Sequence, residues 1–162
     1  MNRALANPLI TTILVVAAAL ITSIIVMAIT RPPDFSDDSE VGVRIDQAKL
    51  RADVAVSSER LAKGLMGADR LSDDRGMLFV YRKPTTPRIW MKDVRFPVDI
   101  VWISGDTVTQ VTADVPPAKP GVAAEDLPLY SPDGPVDKVL ETAGGWAGRH
   151  SVQPGDPVRF SR

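Results

Sequence analysis

The sequence predicts a small, mainly β domain, a β-sandwich or an open barrel with one short helix, preceded by a single transmembrane helix. Three observations carry this. Thirteen of the fourteen prolines follow residue 30, and they cut the chain into apolar runs too short for long helices. Those runs alternate or are continuously apolar over four to seven residues, as strands are. The first thirty residues carry one charged side chain, Arg3, whereas residues 31–162 hold 18 Lys and Arg against 20 Asp and Glu, a formal charge of −2.

Leu9 to Ile29 is a run of 21 uncharged residues. As a helix it measures about 31 Å, the thickness of a bilayer's hydrocarbon core. It exceeds the apolar core of a cleaved signal peptide, and its only small-x-small triplet, Val26-Met27-Ala28, lies inside the run. The expectation is a retained signal anchor with the lipid bilayer as partner of residues 9–29. Residues 1–8 then form a cytoplasmic N-terminus. The domain lies on the periplasmic or extracellular side of a bacterial inner (cytoplasmic) membrane, crossed once. Arg3 and Arg31 nearly balance, and the free amino terminus decides that orientation. Residues 30–40, TRPPDFSDDSE, read as a proline-rich acidic linker that stays solvated without packing on the domain.

The domain proper spans 41–162. Val41 to Ile45 and Leu50 to Val56 alternate and read as strands. Ser57-Ser58 caps a short helix, the Ser58 hydroxyl accepting from an orphan amide, with Leu61 and Leu65 on one stripe and Gly67 ending it. Met77 to Val80, Ile89 to Lys92, Val98 to Ile103 and Val108 to Val111 follow as strands, with Ser104-Gly105-Asp106 a tight hairpin signal. Residues 116–135 hold six prolines in twenty positions and fit no element of useful length, so they read as a functional loop anchored by its one aromatic, Tyr130. Val139 to Glu141 is a short strand, Trp146 to His150 a helical turn, and Val158 to Phe160 the last strand, entered through Pro154-Gly155-Asp156.

Several function classes drop out. The mildly acidic domain has no basic run to meet nucleic acid. There is no Cys, and the one His, His150, sits in a surface turn without a second His to share a metal, so no metal site or cofactor is expected. No G-x-S-x-G or phosphate-loop pattern is present.

What remains is a set of polar side chains among apolar ones. Alternation over 88–92 puts Ile89 and Met91 on one face and Arg88, Trp90 and Lys92 on the other, an indole between two cations suited to a small anionic or carbohydrate-like ligand. Asp99 lies in an apolar strand, where a carboxylate is costly unless paired. Lys92, Arg75 or loop amides are its candidate partners. Glu141, in Val-Leu-Glu, poses the same problem. The candidate binding residues are therefore Arg88, Trp90, Lys92, Asp99, Tyr130 and Glu141, with Trp90, Lys92, Asp99 and Glu141 meeting in one cleft beneath the proline-rich loop. A membrane-anchored module binding a ligand or an envelope protein is the leading reading. A hydrolase or lyase using Asp99, Glu141 and Lys92, and a structural or assembly domain of an envelope complex, stand as alternatives.

GLM at 64–66, RGMLFVY at 75–81, IWMKDVRFPVDIVWI at 89–103, VLE at 139–141 and GD at 155–156, in this order, resemble the DUF192 family over residues 43–160. That resemblance implies a compact, mainly β domain of bacteria and archaea, often exported or anchored by one N-terminal apolar segment, with no assigned activity. This sequence departs from the family pattern at Asp93-Val94, where Asn-Thr is common, and at Lys138, where a Tyr is common.

Overall fold

The computed structural model describes residues 13, 16–21, 35–37 and 39–162. The chain divides into two compact units, Met1–Pro32 and Pro33–Arg162. In the first, the described residues are helical and exposed. Among the described residues no helix is long and apolar enough to cross a membrane. Most of the run expected to span, residues 9–29, lies outside them.

The second unit is built on β1 (Glu40–Ile45), β2 (Ala48–Ala55), β3 (Arg75–Thr85), β4 (Val98–Ser104), β5 (Thr107–Val115), β6 (Val136–Ala143) and β7 (Val158–Ser161), with short helices α1 (Ser58–Lys63) and α2 (Trp146–Arg149). All seven strands belong to one sheet, in the order β5-β4-β6-β3-β2-β1-β7. β2 and β3 run parallel, and every other neighbouring pair is antiparallel. The two-sheet sandwich is thus corrected to a single curled sheet, a half-barrel. Its edges meet at one end: the Val108 amide donates to the Asp156 carbonyl at 3.0 Å and the Gly155 amide to the Val108 carbonyl at 2.8 Å. Gly155 makes that turn at φ 99°, a conformation side chains resist.

Each face of the sheet is covered, for different reasons. Side chains from all seven strands, among them Val43, Leu50, Leu78, Val101, Leu140 and Val158, fill the inside of the curl, and Trp146 of α2 packs with them. On the outer face Met77, Phe79, Ile100, Trp102 and Val139 pack under Ile89, Met91 and Val94 of the β3–β4 connection. β4 therefore has apolar partners on both sides, which is why its sequence is almost continuously apolar.

Local outcomes differ from expectation where side chains found partners that periodicity does not reveal. The linker is not free: the Phe35 ring meets Phe160 edge-on at 5.5 Å. Asp37 Oδ1 accepts from the amides of Val56 and Ser57 at 2.7 and 3.0 Å. Helix α1 is capped by Ser57, not Ser58, through Arg60 N–H to Ser57 Oγ at 3.2 Å, and it stops at Gly64, three residues before Gly67. The strand expected at Ile89–Lys92 shrinks to one bridge, Ile89 with Tyr130. Prolines at 84, 87 and 97 deny that connection a ladder, although its in-and-out alternation persists.

Candidate functional site

β6 alternates strictly, so Val139 and Glu141 face outward while Leu140 points into the curl. Glu141 stands opposite Met77 on β3 and Ile100 on β4. Its side chain is only 5 % exposed, and among the described residues nothing hydrogen-bonds or ion-pairs with its carboxyl group. Burial alone pushes that carboxyl up to about 8. At neutral pH it is mostly protonated. Burial also raises the Tyr81 phenol to about 12, with the Glu141 charge adding to the effect.

Glu141 lines the floor of a cleft of about 240 Å³. One wall comes from α1 and the turn after it: Leu61, Lys63, Gly64, Leu65 and Met66. Phe79 of β3 forms the back, and Arg88, Trp90, Lys92 and Val94 form the other wall. Gly64 is required where the helix turns into this wall. It sits at φ 48°, ψ −133°, and a Cβ there would lie 3.2 Å from Phe79 Cζ. Trp90 is 37 % exposed at the rim, and the Lys92 ammonium lies 5.8 Å from its ring centre. Lys92 also pairs with Asp93 at 3.4 Å. Lys63 and Arg88 are exposed and make no ion pair among the described residues. The arrangement is a hydrogen-bonding acid at the bottom, apolar walls, and positive charge at the mouth.

Of the six residues expected from the sequence, the structure brings Arg88, Trp90, Lys92 and Glu141 to this cleft. Tyr130 lines a separate hollow of about 270 Å³ under the proline-rich loop. Its backbone pairs with Ile89 in both directions at 2.8 Å and ties that loop down. The loop and the turn Lys92–Arg95 enclose a larger open groove of about 900 Å³, which shares Met66, Lys92 and Val94 with the Glu141 cleft.

Asp99 is elsewhere. It points to the inside of the sheet, is fully buried, and accepts three backbone hydrogen bonds: Asp114 and Gly145 N–H on Oδ1 at 2.8 and 2.9 Å, and Ala147 N–H on Oδ2 at 2.7 Å. Loop amides, not a cation, satisfy it. Arg75 instead bonds Glu40 and Asp53. Asp99 therefore fixes α2 against the end of β5. His150 contacts Asp73 Oδ2 at 3.1 Å, and its ring lies tilted against Trp146 with ring centres 4.8 Å apart. Arg149 and then His150 hold the Asp73 carboxyl below its ordinary range. No group of three metal-ligating side chains occurs among the described residues.

The cleft also contains Leu61, Leu65 and Phe79, which periodicity assigned to packing, together with Lys63, Gly64 and Met66. One signal pointed to them. GLM, GMLF, WMK and VLE, four separated stretches that carried the family resemblance, each contribute side chains to this one cleft.

The DUF192 family model, described as "Uncharacterized ACR", matches residues 41–160. No match to a curated protein is found. Among solved structures the chain is similar to a proposed transcription regulator from Sinorhizobium meliloti 1021, at 25% identity and a TM-score of 0.68, covering 77% of this chain and 96% of that one. It is also similar to a protein of unknown function from Novosphingobium aromaticivorans DSM 12444, at 29% identity and a TM-score of 0.63, covering 82% and 96%.

Proposed function

Since the chain belongs to the DUF192 family, whose description assigns no activity, we propose from its own residues that it is a binding module taking a small organic ligand in the Glu141 cleft. One observation carries this reading: a buried carboxyl group without a protein partner lines an open cleft. A fold gains nothing from such a group, because an apolar side chain of similar size fills the same space without the desolvation penalty. Its retention makes sense if a ligand supplies the missing hydrogen bonds. Binding is favoured over hydrolysis or lyase chemistry because Asp99, one of the three residues that reading used, lies apart from Glu141 and Lys92.

The membrane anchor belongs to the same proposal. Residues 9–29 hold the domain to a bacterial inner membrane, on its periplasmic or extracellular side, because the run is uncharged and long enough to cross. The protein then stays with membranes through a carbonate wash, and protease added to spheroplasts cuts the domain. A mature N-terminus near residue 29 overturns the anchor. For the cleft, the test is a thermal-shift survey of small acids, amines and polyols on parent and Glu141→Gln. A compound that raises the parent's melting temperature and not the variant's supports the cleft. Shifts equal in both, or none with any class, overturn it.

A further inference from the structure

Resting on the cleft reading above, the charges around the cleft go further and define the class of ligand. The floor carries one carboxyl group with no partner. The mouth carries Lys63 and Arg88, both exposed and without an ion pair among the described residues, and Lys92, whose one partner is the exposed Asp93. Between floor and mouth the walls are apolar: Leu61, Leu65, Phe79 and Val94. A carboxyl group and a set of cations thus line one small cleft, with apolar side chains between them. The cleft, of about 240 Å³, adjoins the larger groove that shares Met66, Lys92 and Val94 with it.

We propose that the cleft takes a small zwitterion of the apolar amino acid type, with its ammonium group against Glu141, its carboxylate at Arg88 and Lys63, and its side chain against Leu61, Leu65 and Phe79. An ammonium donates up to three hydrogen bonds and brings the charge that compensates a buried carboxylate. A carboxylate matches the guanidinium fork of Arg88, which sits where water still reaches and rim charges orient more than they hold. A hydroxyl ligand leaves the rim cations unused, and a simple acid brings no cationic group to compensate Glu141 once that carboxyl ionises.

The pairing sets a pH signature. The groups that face Glu141 are Tyr81 on β3, Lys63 at the end of α1, and Arg88 and Lys92 on the facing wall. Burial pushes Tyr81 up to about 12 and Glu141 up to about 8, so Glu141 changes charge as the pH rises from 6 to 8. An ammonium ligand needs Glu141 ionised, so its affinity rises roughly tenfold from pH 6 to pH 7 and continues up toward pH 8. A neutral or anionic ligand, which uses the protonated acid, weakens over the same range.

The experiment is calorimetric titration of the full chain with L-leucine, N-acetyl-L-leucine, L-leucinamide and glucose at pH 6, 7 and 8. The expected result is leucine binding that tightens with pH, falls at least tenfold when either end of leucine is blocked, and is lost in Glu141→Gln. Arg88→Met, a change on an exposed rim residue that leaves the floor intact, should weaken leucine severalfold and leave leucinamide unchanged. Glucose or N-acetyl-leucine binding in preference to leucine, still dependent on Glu141, overturns the zwitterion while the cleft reading stands. Leucine binding indifferent to pH or to Arg88 overturns it as well. Failure of all four probes removes the amino acid class, and the cleft reading then stands or falls by the broader thermal-shift survey.

Discussion

Asp99 on β4 and Glu141 on β6 stand one rung apart in the same antiparallel pair and face opposite sides of the sheet: Asp99 lies across from Thr142, and Ile100 across from Glu141. One carboxylate is saturated by backbone amides and the other meets none. Their variants should therefore separate. Asp99→Asn keeps the shape but turns an NH2 group toward at least one buried donor, and should destabilise the domain by about 2–4 kcal/mol. The denaturant midpoint measures it. A loss below about 0.5 kcal/mol would mean that Asp99 does not hold α2 in place.

Glu141 should make the domain less stable as pH rises. Its folded-state value, about 8, lies above its ordinary 4.5, so the folded protein binds the proton more tightly than the unfolded chain. Stability is undiminished below about pH 4.5, declines between 4.5 and 8 as the unfolded chain ionises first, and levels off above 8. The difference corresponds to at most about 4–5 kcal/mol. Glu141→Gln should remove that slope and leave the variant more stable than the parent at pH 8. Parallel pH profiles for the two proteins would show that Glu141 is not the titrating group.

Gly64→Ala should cost about 1–3 kcal/mol, because its φ of 48° with ψ of −133° is open to glycine almost alone. The added methyl also presses on Phe79 at the back of the cleft. Ligand affinity should fall together with the melting temperature, a coupling that no change at Gly67 should reproduce. Gly67 also has positive φ, but it has open space around it.

Phe35→Ala should lower stability by about 1–2 kcal/mol, the worth of an edge-on aromatic contact with its partly buried area. It should also expose residues 35–37 to protease while the sheet stays resistant. Limited proteolysis followed by mass spectrometry reads this directly. Unchanged cleavage would show that the Phe35 contact does not hold the linker.

The strands were legible because their apolar runs are bounded by proline and glycine, as at Val98–Ile103 between Pro97 and Gly105. Closure into one sheet was not. It depends on β7 reaching β1 and on the Gly155-Asp156 turn reaching Val108, contacts between residues remote in sequence that no local pattern encodes. Alternation put Trp90 on its correct face. It also put Asp99 opposite Ile100, yet it could not say that the two sides of β4 would carry different duties. The Asp99 partners are amides, which every residue possesses, so no residue type announced them. Phe35 and Asp37 were hidden by composition: one ring and one carboxylate found specific seats inside a stretch whose average reads as solvated.

The double-sided burial of β4 also sets time scales. Six of its seven residues are buried, it is bonded on both edges, by β5 and β6, and its partner β6 carries Glu141. Amides in β4 and β6 then exchange with solvent only when the whole domain opens. The facing wall, from Arg88 to Val94, is held by one bridge at Ile89 and by the Gly67 amide donating to the Asp93 carbonyl, and its amides exchange through far smaller fluctuations. A ligand in the cleft therefore rests on the slowest part of the molecule and leaves past the fastest. Its residence time belongs to the wall of Trp90 and Lys92, whereas its choice of chemical group belongs to the floor at Glu141.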